Sequence, residues 1–402
     1  MQWLALHLPQ LSLEAFCATL TGPASAQPVA LLAEHRVQAV NAAAAAQGVQ
    51  AGLQRATALA LVPALRLADA DAARDAAALQ AVAHAALAFT PAVSLHDAQT
   101  VLMEVQASLR LFGGLPALQQ RLRAALAPLG HRVQSAAAPT ALGAALLARW
   151  QPAGGGQHGA GPDFAPHAAD LAALQHRLDP APVWLLGPGR EHWAALQGMG
   201  LQCLADLRAL PRSGLARRFG AGLLDELDRA CGLKPDPRAW LALPERFDSR
   251  LELHTRADRS EQVLHGAGVL LARLVAWAQA RQGRVAAFTL QMLHEPRRGA
   301  ARPATDLHLA LAEPALDAAH LQLLLRERLA QLPLAAPTLE LQLHCRDLVT
   351  GPAPNGELFP TPAGPAEGLT RLLERLRARL GDAQVQCLEA VADHRPERAT
   401  RT

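Results

Sequence analysis

The sequence contains no tyrosine and only one lysine, Lys234, so arginine supplies 37 of its 38 formal positive charges. Its five cysteines are scattered and form no CxxC pair, which predicts a reduced cytoplasmic protein without a thiolate zinc site. The 16 histidines form no HExxH motif, so we expect no metal site. No GxxxxGK[ST] stretch is present either, which excludes a P-loop ATPase, and we expect no bound cofactor.

Long apolar runs are missing as well. No stretch gives the roughly 18 uninterrupted apolar residues of a membrane span. The opening residues, MQWLALHLPQ, lack the basic start and the small-residue cleavage site of a signal peptide. With 402 residues, 50% hydrophobic and 18% charged, the chain is typical of a globular protein of two to four domains.

The net charge of +3 is too small to indicate a nucleic-acid partner by itself, but its distribution along the chain is uneven. Residues 1–180 carry 10 basic and 10 acidic side chains, and residues 351–402 carry 7 of each. The whole excess, 21 basic against 18 acidic, lies in residues 181–350. If the protein binds nucleic acid, we expect that region to hold the contact surface.

The order of apolar and helical patterns predicts an α+β protein. Short apolar runs such as WLALHL (3–8) and TVLMEVQASLRLFGG (100–114) are typical of strands, and helical stretches such as 72–89 separate them. A glycine-rich stretch, 151–166, predicts a linker. From residue 180 the pattern turns helical, and residues 245–348 give a βαββαβ order typical of a small compact domain.

The helical region contains a candidate DNA-binding hairpin. Gly187-Pro188-Gly189 lies between two apolar turns, and a G-x-G turn of this kind lets backbone N–H groups meet a phosphate. Arginine suits phosphate contacts because its guanidinium group binds two oxygens at once. A solvated basic face is the alternative for any single arginine. The candidate DNA-binding residues are Gly187, Gly189, Arg190, Arg217, Arg218, Arg284, Arg297 and Arg298.

Four stretches in this order resemble the Y-family, or translesion, DNA polymerases over residues 1–350. They are GVQAG (48–52), LMEVQASLRLFGG (102–114), SAAAPTALGAALLA (135–148) and LLGPG with MGLQCLADL (185–207). The resemblance implies the right-hand architecture of palm, fingers, helix-hairpin-helix thumb and little finger. The implied boundaries are palm 1–166 with a fingers insert at about 18–72, thumb 167–238, little finger 242–350 and a C-terminal tail 351–402.

The residues that carry the chemistry of that family are missing here. The resemblance implies metal-binding carboxylates on the first strand and an Asp-Glu pair on a later strand, since two metal ions about 4 Å apart activate the primer end. The first strand has no acid, and Gln99 and Thr100 fall at the Asp-Glu positions. Ala42 and Ala45 fall where the family has a tyrosine and an arginine that grip the triphosphate. Ala141 and Ala145 fall where it commonly has lysines.

This pattern of retained glycines and lost side chains resembles the ImuB-type branch, the catalytically degenerate members of bacterial mutagenesis cassettes. WLALHLPQLSLEAF (3–16), LRLFGG (109–114) and DHRPERA (393–399) also resemble that branch. The resemblance implies a non-polymerase adaptor in DNA damage tolerance. It further implies four partners: DNA, the β sliding clamp, an error-prone C-family DNA polymerase and the RecA-like accessory protein ImuA.

Two other functions stay open from the sequence. The first is a residual template-dependent polymerase that uses displaced acids such as Asp97 and Glu104, although on one continuous strand these two would face opposite sides. The second is a general helix-hairpin-helix DNA-binding protein unrelated to replication. Primer extension and clamp binding distinguish the three.

The C-terminal tail contains a candidate clamp-binding peptide, NGELF (355–359). Clamp-binding peptides place a leucine and an aromatic ring in an apolar cleft behind a polar first residue, and Leu358, Phe359 and Asn355 fit those positions. Ordinary loop packing is the alternative. The helix at 367–380 has a leucine stripe opposite arginines, which favours packing on its own domain over docking to a partner.

Overall fold

The structure is a computed structural model that describes residues 1–20, 27–150, 167–296, 302–350 and 365–381, with scattered positions from 384 to 401. The chain divides into two compact units. The first comprises Met1–Cys17 and Ser25–Leu243, and the second comprises Ala18–Ala24 and Pro244–Thr402. Each unit has a mixed helix and sheet fold, so the α+β class expected from the sequence is confirmed.

A four-stranded antiparallel sheet, here called the palm sheet, organises the first unit. Its strands, in spatial order, are β5 (Val93–Asp97), β6 (Thr100–Glu104), β1 (Trp3–His7) and β7 (Gln134–Ala138). All five residues of β1 are buried because it lies between two neighbouring strands and is covered on both faces. An all-apolar run such as WLAL is therefore what this central position requires.

Helices cover the palm sheet, and side-chain caps fix where two of them begin. They are α1 (Leu11–Cys17), α4 (Ala72–Leu87), α5 (Leu109–Phe112), α6 (Leu115–Leu126) and α7 (Ala141–Arg149). The hydroxyl of Thr140 accepts a hydrogen bond from the Gly143 N–H (3.1 Å) and donates one to the Ala230 carbonyl (2.7 Å). This cap therefore starts α7 and also ties it to the helical region that follows.

A smaller three-stranded sheet occupies the fingers region. Its order is β3 (Arg36–Val40), β2 (Val29–Ala33) and β4 (Arg66–Asp69), and the helices α2 (Ala42–Ala45) and α3 (Arg55–Leu61) accompany it. The side chain of Asn41 caps α2 through the Ala44 N–H (2.9 Å) and also accepts the Val29 N–H (3.0 Å). One asparagine therefore positions the alanine helix against the sheet.

Short helices build the thumb region of the first unit. They are α8 (Leu171–Leu178), α9 (Gly187–Glu191), α10 (Trp193–Gly198), α11 (Leu204–Ala209), α12 (Arg212–Phe219) and α13 (Ala221–Ala230). Their buried leucines form one hydrophobic cluster with α7 and with the residues of the palm sheet that face it. The thumb helices and the palm sheet therefore share a continuous core.

The second unit has the βαββαβ order expected from the sequence. Its strands, in spatial order, are β10 (Ala304–Ala315), β9 (Gly283–His294), β11 (Thr338–Thr350) and β8 (Phe247–Ala257). Two helices, α14 (Ser260–Ala280) and α15 (Ala318–Gln331), pack in the same unit. By length and composition α14 is apolar enough to span a membrane, but its apolar side chains are buried against β8, β9 and β11.

The C-terminal helix α16 (Pro365–Leu380) packs on the second unit, as its leucine stripe favours. The carboxylate of Glu374, 7% exposed, accepts hydrogen bonds from the backbone N–H groups of Ala312 (2.6 Å) and Glu313 (3.1 Å). Its other oxygen lies 2.8 Å from Nε2 of His320 on α15. A buried carboxylate with three polar partners fixes the helix in place. A two-residue strand pair, β12 (Glu389–Ala390) and β13 (Thr400–Arg401), follows.

Two sequence-based expectations about the palm were wrong. The run 100–114 is not one strand, because β6 ends at Glu104 and the LRLF segment turns into α5 before Gly113, whose φ of 81° ends it. The strand β5 was also missed: it comes just before β6 and joins it through a two-residue turn. The domain boundaries given in the sequence analysis stay predictions.

We expect His84 to make the first unit acid-sensitive. Its ring lies buried in α4, where Nε2 has no hydrogen-bond partner among the described residues, and burial lowers its pKa from 6.5 to about 4. Above pH 6.5 the ring is neutral in both states and contributes nothing. As the pH falls below 6.5, the unfolded chain takes up a proton that the folded chain does not, so folding weakens.

The variant His84→Phe should remove that dependence. Between pH 7.5 and pH 5 the histidine costs about 2 kcal/mol of folding free energy, which chemical denaturation at the two pH values measures. The control His176→Gln changes an exposed histidine of α8 and should keep the wild-type pH dependence. Equal losses of stability in wild type and His84→Phe would contradict the assignment.

Candidate functional site: the palm end and the helix hairpin

The positions expected to hold the Asp-Glu pair lie at one end of the palm sheet, here called the palm end. Thr100 is opposite His7 in the β1–β6 register, and Nδ1 of His7 lies 3.1 Å from the Thr100 hydroxyl. The N–H of Leu8 donates to the Gln99 carbonyl at 2.8 Å. The structure therefore brings Gln99 and Thr100 beside the end of the first strand, where a histidine stands. Sequence reasoning noted the missing acid there but did not single out His7.

The imidazole of His7 is neutral at physiological pH. Burial lowers its pKa, and the Arg149 guanidinium lowers it further, while the charge of Asp97 raises it without offsetting the other two. A neutral imidazole beside a hydroxyl supplies no negative charge. This pair of side chains is therefore chemically unlike the carboxylates that hold two magnesium ions.

One carboxylate, Asp97, does lie at the palm end, and its partners are already in place. Burial raises its pKa, but the N–H of Gln99 (2.8 Å), the hydroxyl of Thr100 and the charges of His96 and Arg149 outweigh burial and hold the pKa below its usual value. The Arg149 guanidinium lies 3.8 Å from the carboxylate. Asp97 is therefore ionised and paired with the guanidinium group of Arg149.

A second guanidinium reaches the same end from the segment that follows the thumb helices. Nη1 of Arg238 donates to Nδ1 of His96 at 3.0 Å, and Nη2 pairs with Asp236. Burial first, and then the charge of Arg238, lower the pKa of His96. Further along the same segment, the Trp240 ring stacks on Trp3, which lies at the opposite end of β1 from His7, with centroids 5.9 Å apart. Because the Leu241 N–H also bonds to the Val93 carbonyl of β5 (2.8 Å), this segment is bound along the sheet edge.

The other candidate acid, Glu104, lies at the far end of the sheet. It ends β6, whose length from Thr100 is about 13 Å at ~3.3 Å per residue. Its carboxylate accepts the Gln106 N–H (3.1 Å) and so closes the turn after the strand, which gives this acid a structural role. Asp97 and Glu104 lie on two strands of a hairpin and not on one continuous strand.

The four alanines at positions where the resemblance implies a tyrosine, an arginine or lysines fall into two groups. Ala42 and Ala45 are exposed on one face of α2 and present only methyl groups. Ala141 and Ala145, by contrast, are buried at 2% and 0% exposure in the core that α7 shares with the thumb helices. Alanine at these two positions therefore has a packing role, since a buried lysine would carry a large desolvation cost.

The predicted hairpin turn is present, but its first N–H has an internal partner. Gly187 donates to both oxygens of Glu226 on α13, at 3.3 and 3.0 Å. Burial raises the Glu226 pKa, while this hydrogen bond and the charges of Arg149, Arg190 and Arg229 lower it in part. A phosphate would have to displace this carboxylate to reach the same N–H group.

Gly189 is a glycine for reasons of packing. A Cβ added there would lie 2.1 Å from the Val183 carbonyl oxygen, so no side chain fits. The residue is itself buried, facing the turn that precedes the hairpin. Close backbone approach within the thumb region therefore accounts for this glycine without any ligand.

The arginines expected to meet DNA are placed as follows. Arg190, Arg217 and Arg218 are exposed on the thumb helices, and the Arg218 guanidinium lies 5.7 Å from the Phe219 ring centre. Arg284 is half-buried at the start of β9. Arg297 and Arg298 lie outside the described residues, as do the clamp-motif residues Asn355, Leu358 and Phe359.

The sheet of the second unit pairs much of its own charge. Glu340, 6% exposed, pairs with Arg302 (2.9 Å) and with Arg250 (3.2 Å). His344 lies 3.0 Å from a carboxylate oxygen of Asp248 on the neighbouring strand. These side chains therefore contribute less positive potential than a count of arginines suggests.

Within the described ranges no three His, Cys, Asp or Glu residues are grouped to hold a metal ion.

Comparison with known proteins decides the family. Residues 15–149 match the impB/mucB/samB family. Protein ImuB of Caulobacter vibrioides (strain NA1000 / CB15N) is 30% identical over 355 residues, which cover 88% of this chain and 73% of the relative, and Protein ImuB of strain ATCC 19089 / CIP 103742 / CB 15 matches equally. The chain belongs to the ImuB family. This confirms the sequence-based resemblance, and with it the Y-family polymerase architecture of the α+β fold.

Solved structures similar to this ImuB-family chain include two Y-family polymerases. The Dbh ternary complex gives a TM-score of 0.46 at 14% identity, covering 87% of this chain and 100% of its own. DinB from Sulfolobus solfataricus gives 0.46 at 15% identity, covering 87% and 99%.

Proposed function

We propose that this ImuB-family chain acts in DNA damage tolerance as a non-catalytic adaptor. In this proposal it binds DNA and the β sliding clamp and recruits a separate error-prone C-family polymerase, with the RecA-like protein ImuA as a further partner. Family membership supports the setting. The observation that carries the non-catalytic part is the palm end, where His7, Gln99 and Thr100 stand in place of metal-binding carboxylates.

Charge is the physical reason against catalysis at the palm end. Two metal ions that activate a primer hydroxyl and neutralise a triphosphate need several carboxylates within a few ångströms. The palm end instead carries the guanidinium groups of Arg149 and Arg238, with Asp97 and Asp236 as their partners. A divalent cation would therefore meet two positive charges and two carboxylates that are already paired with them.

A residual polymerase remains the second candidate because Asp97 is ionised at the palm end. Primer extension with Mg²⁺ or Mn²⁺ and all four nucleotides separates the two functions. We expect no template-dependent product, since Glu104, the other acid considered, closes a turn at the opposite end of β6. A product that disappears in Asp97→Asn or Glu104→Gln would overturn the non-catalytic assignment.

The clamp contact is assigned to Asn355, Leu358 and Phe359. The described elements on either side, β11 ending at Thr350 and α16 beginning at Pro365, both belong to the second unit. Glu374 holds α16 there through its bonds to β10 and α15. A peptide between two fixed elements can enter a partner's cleft while the domain stays folded.

We expect the double variant Leu358→Ala with Phe359→Ala to abolish clamp pull-down at an unchanged melting temperature, because the two anchors of the cleft are lost. The matched control, Leu372→Ala with Leu380→Ala, removes two leucines of α16 that are 52% and 54% exposed. The control should keep clamp binding. Loss of binding only in the control would assign the contact to α16, and binding by both variants would revive a DNA-binding role unrelated to the clamp.

DNA binding is assigned to the thumb region, where Arg190, Arg217 and Arg218 are exposed. Such contacts release counterions, so affinity should fall as salt rises, with a slope of about −0.9 per neutralised phosphate. Glu226 weakens such phosphate contacts. Its carboxylate accepts the hydrogen bond of the Gly187 N–H, and its negative charge lowers the local positive potential. The hairpin therefore binds phosphate only when this carboxylate is displaced or neutral.

The variant Glu226→Gln tests this competition. We expect DNA affinity to rise roughly two- to tenfold, because the amide gives up the hydrogen bond more readily and carries no charge. The control Glu191→Gln removes the same charge from an exposed position in α9 without touching the Gly187 N–H. Fluorescence anisotropy of labelled DNA measures both, and equal gains in the two variants would show that charge alone, not the hairpin contact, sets the affinity.

A further inference from the structure

The segment SLRLF (108–112) has no part in the proposed function, although it has the residue order of a clamp-binding peptide. Its polar first residue is Ser108, and Leu111 and Phe112 are the leucine and the aromatic ring. It also has Leu109 at the second position, where NGELF has a glycine. The segment follows β6 and contains α5, so it lies beyond the end of β6 that is far from the palm end.

Leu111 has little packing role within the first unit. It is 80% exposed, more than any other large apolar residue of the described part of the chain except Met1. Its neighbour Arg110 is exposed as well, whereas Leu109 and Phe112 are half-buried. The segment therefore presents three apolar side chains at the surface, one of them almost fully in water. A partner's apolar cleft would remove that side chain from water, which favours association.

Few hydrogen bonds hold the segment in its helical form. Helix α5 is a single turn of four residues, and no side chain caps its start. The N–H of Phe112 donates to the Ser108 carbonyl (3.2 Å), and the N–H of Gly114 donates to the Leu109 carbonyl (2.8 Å). Gly113 and Gly114 follow with φ of 81° and 100°, and glycine also adopts other backbone conformations at little steric cost. Because one turn of helix is marginal by itself, the segment can extend along a cleft while β6 and α6 stay folded.

The contacts of the Phe112 ring lie at the surface and not in the core. The ring centre is 5.2 Å from that of Phe89, which is itself half-buried. The guanidinium group of the exposed Arg121 lies 5.7 Å from the Phe112 ring centre. Arg121 and Arg110 therefore place two positive charges beside the apolar side chains. An apolar cleft with carboxylates at its rim is the complementary partner surface.

We propose that SLRLF is a second contact with the β sliding clamp, in which Leu111 and Phe112 enter an apolar cleft of the clamp. This contact rests on the proposed clamp-binding function, and it adds a site in the first unit to the peptide NGELF (355–359). A contact of five residues is weak by itself. Two linked contacts bind more tightly than either alone, because the second forms at a high local concentration once the first has formed.

Surface plasmon resonance of the full chain on immobilised clamp tests the second contact. We expect Leu111→Ala to weaken binding roughly tenfold at an unchanged melting temperature, because it removes an anchor that is exposed in the free protein. The matched control Leu61→Ala removes a leucine of α3 that is 51% exposed, and it should bind as the wild type does.

The variant Ser108→Gln gives a second measurement that does not depend on a loss. Glutamine is the usual first residue of clamp-binding peptides, so we expect this change to tighten binding several-fold. Damage to the fold would not produce such a gain.

The outcomes separate this contact from the proposed function. If the wild-type chain does not bind the clamp, the clamp-binding function fails. If Leu358→Ala with Phe359→Ala loses binding while Leu111→Ala and Ser108→Gln bind as the wild type does, the function stands and the second contact is refuted. Equal losses in Leu111→Ala and Leu61→Ala would show that exposed apolar surface in general sets the affinity, and they would also refute the second contact.

Discussion

The ion pair between Asp97 and Arg149 places opposite charges 3.8 Å apart at the end of the palm sheet. Arg149 is the last residue of α7, a helix whose eight preceding residues are all buried, so the position of its guanidinium group is set by the core. That group lowers the pKa of Asp97 and, with burial, keeps His7 neutral. The palm end therefore carries a positive charge of the protein's own beside the Asp97 carboxylate.

The same arginine links the palm end to the thumb region. Its charge lowers the Glu226 pKa, partly offsetting the rise that burial causes, and Glu226 in turn bonds to the Gly187 N–H. Close helix packing fixes this arrangement, since a Cβ added at Gly143 of α7 would lie 3.0 Å from the Ala230 carbonyl of α13.

Periodicity predicted much of the fold because burial and turn chemistry are local signals. The βαββαβ order of residues 245–348 followed from alternating and helical patterns. The strand β5 was missed because half of it is exposed at the sheet edge, which leaves no strong apolar run. The sequence predicted a strand for the segment LRLFGG because a helical turn and a strand can have the same apolar residues. In the structure the segment is a short helix that ends at Gly113, which has a positive φ.

The candidate site was predicted less completely, because its contacts are long-range. The sequence shows that Gln99 and Thr100 lack carboxylates, but it does not show that Arg238 reaches His96 over a separation of 142 residues. It likewise suggested a phosphate-binding role for Gly189, whereas the structure gives the Val183 carbonyl as a sufficient reason for glycine. Spacing identifies a turn, but it does not identify what already occupies the turn.

Core packing in the first unit accounts for the identity of several of its residues. Ala141 and Ala145 add apolar surface to the core at positions where a lysine would have to be desolvated. Alanine at these two positions therefore favours the fold. Trp240 stacking on Trp3, with Leu241 bonded to β5, binds the segment after the thumb helices along the palm edge.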